Sequence, residues 1–453
     1  MERMMGMQDE RRTAGSAADV RADAAGQAVS ASRKAYREYA ALSLAYRRAI
    51  LAAVKSRLVP LVPDMAAREL DETGMGSKRD KIVKLMLAIH KTPGVEDLIT
   101  EVITGDDGMT LCEYSAYGVI CAVQPGTNPC ATLINNTIGM LAAGNSVIHI
   151  PHPRCLAVSQ FAVRHIDEAI REVCGIQNLV ASLSESSMLL ADEIMSHPDV
   201  AMVVATGGGR MLGKALSNAK RVIGAGQANP VAIVDETADL EKAARDIVDG
   251  ASFDHNIMCT SEKNIVVVSA AADAFVEALR RQDVCYVNSE AEMLALTKAT
   301  VTADLLMNRA LEGKSANAIL DAAGIRCDRA VRLIVVDTVK THPFVTLEML
   351  MPLVPLVRVK DFDAALETAL FIEQELRHTA VIHSRSVDRL NRAAQIMQTS
   401  VFVKNGPSLV GLGLNGEGNT SFTVANLTGE GVTTARHFAR RRRCTLTSGF
   451  SIR

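Results

Sequence analysis

The chain has 453 residues, and its 49 basic and 51 acidic side chains leave a formal net charge of −2 at neutral pH. This length predicts two or three domains, and the balanced charge with only 4% aromatic residues argues against binding to nucleic acid. No apolar run reaches the roughly 18 residues of a membrane-spanning helix, the opening MERMMGMQDERR lacks the apolar centre of a secretory signal, and there is no Cys-x-x-Cys pair. We therefore expect a cytoplasmic small-molecule enzyme without a membrane segment, a disulfide framework or a metal site.

The first hundred residues have a helical pattern. Between 44 and 58, leucine and valine recur at helical spacing with basic residues between them, and Pro60 and Pro63 follow. This part of the chain is predicted to be a helical scaffold.

From about residue 118, short β-branched runs alternate with helical stretches. Strands are predicted at 119–123, 147–150, 179–183, 200–205, 265–268, 333–336, 354–359 and 401–403. Helices are predicted at 133–141, 158–170, 211–218, 240–248 and 274–279. Such alternation indicates an α/β fold with parallel, doubly wound sheets, which bind ligands at the carboxyl ends of strands.

A glycine-rich turn follows the strand predicted at 200–205. Thr206, Gly207, Gly208 and Gly209 lead directly into a predicted helix. Glycine lets the backbone approach a phosphate closely, and the first turn of a helix offers free N–H groups. The turn is a candidate site for a dinucleotide pyrophosphate. Its spacing is not Gly-x-Gly-x-x-Gly, so a tight turn without a ligand is the alternative.

Cys259 lies in the polar segment SFDHNIMCTSEK, between a predicted helix and a predicted strand. Loop placement makes it the candidate nucleophile among the nine cysteines. The alternative is a buried small hydrophobic side chain, which is the usual fate of a free cysteine.

The same segment resembles the catalytic-cysteine segment of the CoA-acylating aldehyde dehydrogenases, the propionaldehyde and acetaldehyde dehydrogenases of bacterial microcompartments. Further similar segments occur in the family order: QPGTNP at 124–129, ATGGGR at 205–210, GAGQANP at 224–230, LEMLMPLVPLV at 347–357, and GEGNTSFTVANLTGEGVTTARHFARRRRCTL at 416–446. Because the resemblance runs through most of the chain, it is specific for this family.

The resemblance implies an aldehyde dehydrogenase-like α/β fold with three parts. A Rossmann-like dinucleotide-binding domain with N-terminal helices would span 1–101 and 118–234, and an α/β catalytic domain would span 235–429. A small β extension, 102–117 with 430–453, would join neighbouring subunits of a dimer or tetramer.

The resemblance also implies roles for individual residues. Cys259 would attack an aldehyde carbonyl, and its backbone N–H would be one donor to the oxyanion. Hydrolytic relatives take the second donor from the asparagine of a Pro-x-Asn motif, whereas this chain has Thr127 at that position and Asn128 one residue further on. Asn128 is favoured, with Thr127 the alternative, and a plain turn without this role stays open. Glu348 matches the glutamate that binds the nicotinamide ribose, and a carboxylate among apolar residues needs a partner.

Pro151 and His152 occupy the segment that contacts the adenosine ribose in hydrolytic relatives. Those relatives have a lysine there, whereas this chain has Ile150. NAD is therefore the expected cofactor, with NADP the alternative through His152 or Arg154. Otherwise the histidines are interpreted as structural or orienting groups, because no set of them has metal-ligand spacing.

The expected acyl acceptor follows from the absence of one glutamate. Hydrolytic relatives have a water-activating glutamate where this chain has Gly224. A thiol is a strong nucleophile without such a base. The expected reaction is oxidation of a short-chain aldehyde, propionaldehyde before acetaldehyde, to acyl-CoA by NAD and CoA.

Two other functions remain open at this point. One is a reductase of an acyl phosphate, like glutamate-semialdehyde dehydrogenase; the other is a non-catalytic cargo protein of a microcompartment. The resemblance implies a cytoplasmic location inside such a compartment, with its shell or cargo proteins as partners.

Overall fold

The computed structural model describes residues 24–183, 185 and 187–450. The opening segment MERMMGMQDERR lies outside these residues. Within them, no helix combines the length and apolarity needed to cross a membrane.

The described helices and strands alternate through most of the chain. The helices are α1 (24–40), α2 (Leu44–Leu58), α3 (Val62–Thr73), α4 (Lys78–Lys91), α5 (Pro129–Ala142), α6 (Leu156–Cys174), α7 (Met188–Ser196), α8 (Gly209–Leu216), α9 (Leu240–Ser252), α10 (Ser269–Arg280), α11 (Glu290–Thr300), α12 (Ala316–Ala322), α13 (Pro343–Thr346), α14 (Phe362–Glu373) and α15 (Val387–Met397). The strands are β1 (Glu101–Gly105), β2 (Gly108–Ala116), β3 (Val119–Val123), β4 (Ser146–Ile150), β5 (Val180–Ser182), β6 (Val200–Thr206), β7 (Arg221–Ala225), β8 (Val231–Val234), β9 (Asn264–Val268), β10 (Val284–Val287), β11 (Leu333–Thr338), β12 (Leu353–Val359), β13 (Thr379–His383), β14 (Val401–Lys404), β15 (Val424–Ala425), β16 (Gly431–Val432) and β17 (Ala439–Thr447).

Side-chain caps set where several helices begin. The Asp239 carboxylate accepts from the Lys242 N–H at 3.2 Å, and α9 starts at the residue after Asp239. Asp361 caps α14 in the same way, through the Ala364 N–H at 2.9 Å. These contacts satisfy amide groups that the first turn of a helix leaves without a partner.

The chain divides into two compact units. The first contains the described residues up to Leu61, Thr92–Gly224 and those from Thr434 onward; the second contains Val62–Lys91 and Ala225–Thr433. The second unit thus includes α3 and α4, which the sequence placed in the first domain. Buried ion pairs explain the difference, because Lys81 and Lys84 of α4 both contact Asp254.

The first unit contains a five-stranded sheet in the order β5-β4-β3-β6-β7. β3 is parallel to both β4 and β6, and all five of its residues are buried. The strand order reverses between β3 and β6, which is the point where doubly wound sheets bind ligands at their carboxyl ends.

The second unit contains a seven-stranded sheet in the order β10-β11-β12-β9-β8-β13-β14. Its neighbouring strands are parallel throughout. The central strand β9 is buried at every residue. The predicted class of α/β fold with parallel sheets is confirmed.

A separate antiparallel sheet has the order β1-β2-β17. The register between β17 and β2 runs from Ala439 opposite Ala116 to Thr447 opposite Gly108. The two segments assigned to an extension therefore pair within one chain, and after Ala439 every residue of β17 is exposed. Subunit pairing through this sheet stays a prediction.

Candidate active site

The backbone before Cys259 has an unusual conformation. Asp254, His255 and Asn256 have φ values of 46°, 53° and 62°. A left-handed conformation is uncommon for residues other than glycine, and it persists only where surrounding contacts enforce it. Three such residues in succession redirect the chain between α9 and the Cys259 loop.

Hydrogen bonds close the loop that carries Cys259. The Asn256 side chain donates to the carbonyl oxygens of Ala251 at 2.6 Å and Glu262 at 2.9 Å. Lys263 donates from Nζ to both the backbone and side-chain oxygens of Asn256. Residues 257–261 are thus held between two fixed ends.

Glu262 adds a further attachment at the far end of this loop. Its buried carboxylate accepts from the N–H and the hydroxyl of Ser408, both at 2.7 Å. Burial raises the pKa of Glu262 to about 7, against the opposite effect of these hydrogen bonds. The contacts give Glu262 a structural role.

Three neighbouring strands bring the site residues of the second unit together. Ala228 precedes β8, Cys259 and Lys263 precede β9, and Glu348 precedes β12. Since β9 is parallel to both β8 and β12, these residues share the amino ends of the strands. The Ala228 N–H donates to the Glu348 carboxylate, and Lys263 provides an opposite charge nearby. The Glu348 carboxylate therefore has a hydrogen-bond donor and an opposite charge beside it, as expected for a carboxylate among apolar residues.

The electrostatic environment keeps the resting Cys259 thiol protonated. Cys259 is half-buried. Burial and the negative charge of Glu348 raise the pKa of Cys259 to about 12, while the Lys263 ammonium acts in the opposite direction. Burial also lowers the pKa of Lys263, which Glu348 counteracts. The charge of Glu348 consequently adds to the effect of burial in disfavouring the Cys259 thiolate.

We expect Glu348→Gln to accelerate alkylation of Cys259 by iodoacetamide at pH 8 by about two- to tenfold, because the variant removes a charge that disfavours the thiolate. Burial raises the pKa of Glu348 to about 7, so the wild-type carboxylate is ionised at pH 8 and protonated at pH 6. The two proteins should therefore react at equal rates at pH 6. Peptide mapping would follow the modification of Cys259, and equal rates at pH 8 would refute this electrostatic account.

In the first unit, three candidate segments meet at the carboxyl ends of β3, β4 and β6. A Cβ atom on Gly126 would lie 3.1 Å from Nδ1 of His152, and one on Gly207 would lie 3.7 Å from Cα of Pro125. Gly207 has a φ of 138°, which favours glycine. The turns after these strands are therefore contiguous.

The glycine-rich turn leaves room beside its backbone. Apart from the adjacent residues and the backbone of α8 itself, no atom of the described residues lies within 4 Å of a Cβ built on Gly208 or Gly209. Gly208 is the N-cap of α8, which begins at Gly209, so helix N–H groups are presented there. Together with Thr206 and Gly207, this turn fits a pyrophosphate, the group that the sequence assigned to it.

The other predicted residues of the first unit are also located. His152, directly after Pro151, accepts from the Arg154 N–H at 3.2 Å, so it shapes the turn after β4. Asn128 is buried at the N-cap of α5 and donates from Nδ2 to the Thr127 hydroxyl at 3.3 Å. Their roles toward a cofactor or an oxyanion stay predictions.

Two other histidines occupy structural positions. Nδ1 of His255 lies 2.9 Å from the carbonyl oxygen of Gly313, and Nδ1 of His378 lies 2.8 Å from the Thr379 hydroxyl. Across the described residues, no three His, Cys, Asp or Glu side chains form a group that could hold a metal ion.

Sequence reasoning missed Asp254, Asn256, Glu262 and Lys263 as supports of the nucleophile. A signal was present, because Glu262 and Lys263 directly precede β9, whose last four residues are apolar. Charged residues at the start of a buried strand are expected to have specific partners.

Comparison with known proteins identifies the class. Residues 8–414 match the aldehyde dehydrogenase family, to which the chain belongs. It is 47% identical over 428 residues to the CoA-propanoylating propanal dehydrogenase of Citrobacter freundii, covering 94% of this chain and 92% of that protein.

Solved structures give the same class. The propionaldehyde dehydrogenase of Rhodopseudomonas palustris with bound propionyl-CoA has a TM-score of 0.93 and 42% identity, covering 95% of each chain. A propionaldehyde dehydrogenase from the fucose utilisation microcompartment of Clostridium phytofermentans has a TM-score of 0.93 and 39% identity, covering 95% of this chain and 98% of that chain.

Proposed function

We propose that this protein is an NAD-dependent, CoA-acylating aldehyde dehydrogenase. It oxidises a short-chain aldehyde to the corresponding acyl-CoA. The observation that carries the proposal is the closed Cys259 loop beside Glu348 and Lys263, in a chain that has Gly224 in place of the water-activating glutamate. The similarity to CoA-propanoylating enzymes supports propionaldehyde as the favoured substrate.

Each step has a candidate residue. Cys259 attacks the aldehyde carbon, and its own N–H with Asn128, or Thr127 as the alternative, stabilises the oxyanion. The nicotinamide supplies the hydride acceptor when the cofactor is bound. Loss of the hydride leaves an acyl thioester on Cys259. The CoA thiol then attacks the acyl carbon, which transfers the acyl group to CoA and releases the Cys259 thiol.

The cofactor sites are assigned in the same way. Thr206, Gly207, Gly208 and Gly209 would hold the pyrophosphate, and Glu348 would bind the nicotinamide ribose. Pro151 and His152 border the adenosine ribose, with NAD favoured and NADP the alternative.

Acetaldehyde is the second candidate substrate. It differs from propionaldehyde by one methylene group, which is worth only about 1–3 kcal/mol in a pocket. Parallel measurements of kcat/KM for the two aldehydes would rank them.

An assay of NADH formation tests the proposed function. With propanal, NAD and CoA together, sustained NADH formation and acyl-CoA are expected. A reductase of the glutamate-semialdehyde type would instead reduce an acyl phosphate without any need for CoA. A non-catalytic cargo protein would form no NADH in this assay.

We further propose a homo-oligomer located in the cytoplasm, inside a bacterial microcompartment. The support for the location is the similarity to an enzyme from such a compartment. The compartment's shell or cargo proteins would then be its partners. The support for oligomerisation is the exposed strand β17, since an open strand edge can pair with another chain.

Deletion of 444–453 is expected to dissociate or aggregate the protein. It removes the part of β17 that pairs with Gly108–Leu111 and leaves this edge of β2 open. Size-exclusion chromatography with light scattering would measure the change. The control is deletion of 448–453, which leaves β17 complete and should elute like the intact chain. If the longer deletion also elutes like the intact chain, the tail is not part of an interface.

A further inference from the structure

A cluster of four charged side chains is buried beside the segment that leads to Cys259. Lys81 and Lys84 of α4, Glu69 of α3 and Asp254 each have side chains no more than 2% exposed. Two positive and two negative charges make the cluster neutral. We propose that this cluster is a positioning device for Cys259, a role that rests on the proposed function.

The contacts centre on Asp254. Its Oδ2 pairs with Nζ of Lys84 and lies 3.6 Å from Nζ of Lys81. Lys81 in turn contacts Oε1 of Glu69 at 2.8 Å. Glu69 therefore reaches the segment before Cys259 through Lys81 and Asp254.

Hydrogen bonds also fix Asp254, one at its side chain and one at its backbone. The Ser77 N–H donates to Oδ1 of Asp254 at 2.7 Å, and the Asp254 N–H donates to Oδ2 of Asp80 at 2.9 Å. A Cβ atom on Gly76 would come within 2.0 Å of Oδ1 of Asp254, so this approach requires glycine. The side chain and the backbone of Asp254 are both held against the start of α4.

Asp254 is the first of the three left-handed residues that direct the chain into the Cys259 loop. A residue in this conformation relaxes unless its surroundings hold it there. The Asn256 and Lys263 contacts fix the loop itself, whereas the charged cluster fixes its entry. The cluster therefore fixes the position at which the chain enters the Cys259 loop.

Stability alone is a poor explanation for such a cluster. Removing four charges from water is costly, and buried ion pairs are often no more stabilising than apolar side chains of the same volume. The charges that act directly on Cys259 belong to Glu348 and Lys263. Conformational control of the loop remains as the role of the cluster.

The test compares two buried carboxylates. Asp254→Asn keeps the side-chain shape but removes the negative charge that pairs with Lys84. Asp97→Asn is the matched control, because Asp97 is buried in the first unit and accepts from Nε of Arg436 at 2.9 Å and from Nη2 at 2.6 Å. Both variants should have lower melting temperatures than the wild type.

The rate of the NADH burst with propanal and NAD, without CoA, separates positioning from stability. Asp254→Asn is expected to lower this rate by about 10- to 100-fold, because small misplacements of a reacting group have effects of that size. The KM for NAD should stay constant, and Asp97→Asn should keep the wild-type burst rate. Equal burst rates in the two folded variants would overturn the proposal.

Glu69→Gln is the second variant if Asp254→Asn does not fold. Glu69 contacts Lys81, so this variant too should slow the burst while leaving the KM for NAD constant. An unchanged burst would overturn the proposal. A wild-type protein without any burst would instead refute the proposed function. In that case, the rate at which iodoacetamide alkylates Cys259 would test the positioning role. A loosened loop should expose Cys259 and raise this rate in Asp254→Asn but not in Asp97→Asn. Equal rates in the two variants would overturn the proposal.

Discussion

Replacement of Cys259 by alanine is expected to lower the rate of aldehyde oxidation by more than about a thousandfold, because no other group replaces the lost nucleophile. The contacts that close the loop come from Asn256, Glu262 and Lys263, so the variant keeps them. Melting temperature and NAD binding should therefore be close to those of the wild type. Steady-state NADH formation, thermal unfolding and equilibrium NAD titration measure the three properties.

Cys121→Ala is the matched control for this result. Cys121 is fully buried in β3, where it packs in the core of the first unit. Its loss should reduce stability by about 1 kcal/mol and leave the chemistry unchanged. Residual turnover of Cys259→Ala within about tenfold of the wild type would contradict its assignment as the nucleophile.

Without CoA, the wild-type enzyme is expected to form a rapid burst of about one NADH per active site and then to slow sharply. Cys259 can attack the aldehyde and the hydride can leave, but Gly224 cannot activate water. The acyl thioester should consequently accumulate. Stopped-flow absorbance would record both phases, and addition of CoA should restore turnover.

Two outcomes would contradict this account of deacylation. Sustained turnover without CoA that yields free propanoate would mean that another residue activates water. A burst followed by no recovery on addition of CoA would mean that CoA is not the acyl acceptor.

Much of the fold was predictable from apolar patterns. The run predicted at 119–123 coincides with β3, and the run at 265–268 forms most of β9. These strands are buried at every residue, and such strands appear in a sequence as continuous β-branched runs. The helix predicted at 158–170 is likewise the centre of α6.

Strands with mixed composition were missed. β7 contains an arginine, a glycine and an alanine, and it immediately precedes the segment GQANP. β13 begins with threonine and ends with histidine. These strands are stabilised by their position in the sheets rather than by local propensity, which depends strongly on context.

The candidate site was predicted only where it is local in the sequence. Cys259 and the turn from Thr206 to Gly209 each follow from one short segment. The interaction of Lys263 with Glu348 depends on the pairing of β9 with β12, and this neighbour relationship is not encoded in either segment. The contact of Lys84 with Asp254 depends on how α4 packs, so it likewise could not be predicted from the sequence.

The most direct test of the central claim is mass spectrometry of the enzyme stalled with propanal and NAD. The account predicts one propanoyl group, located on the peptide that contains Cys259, and its complete transfer to CoA when CoA is added. Absence of the acyl group, its location on another peptide, or its persistence in the presence of CoA would contradict the account.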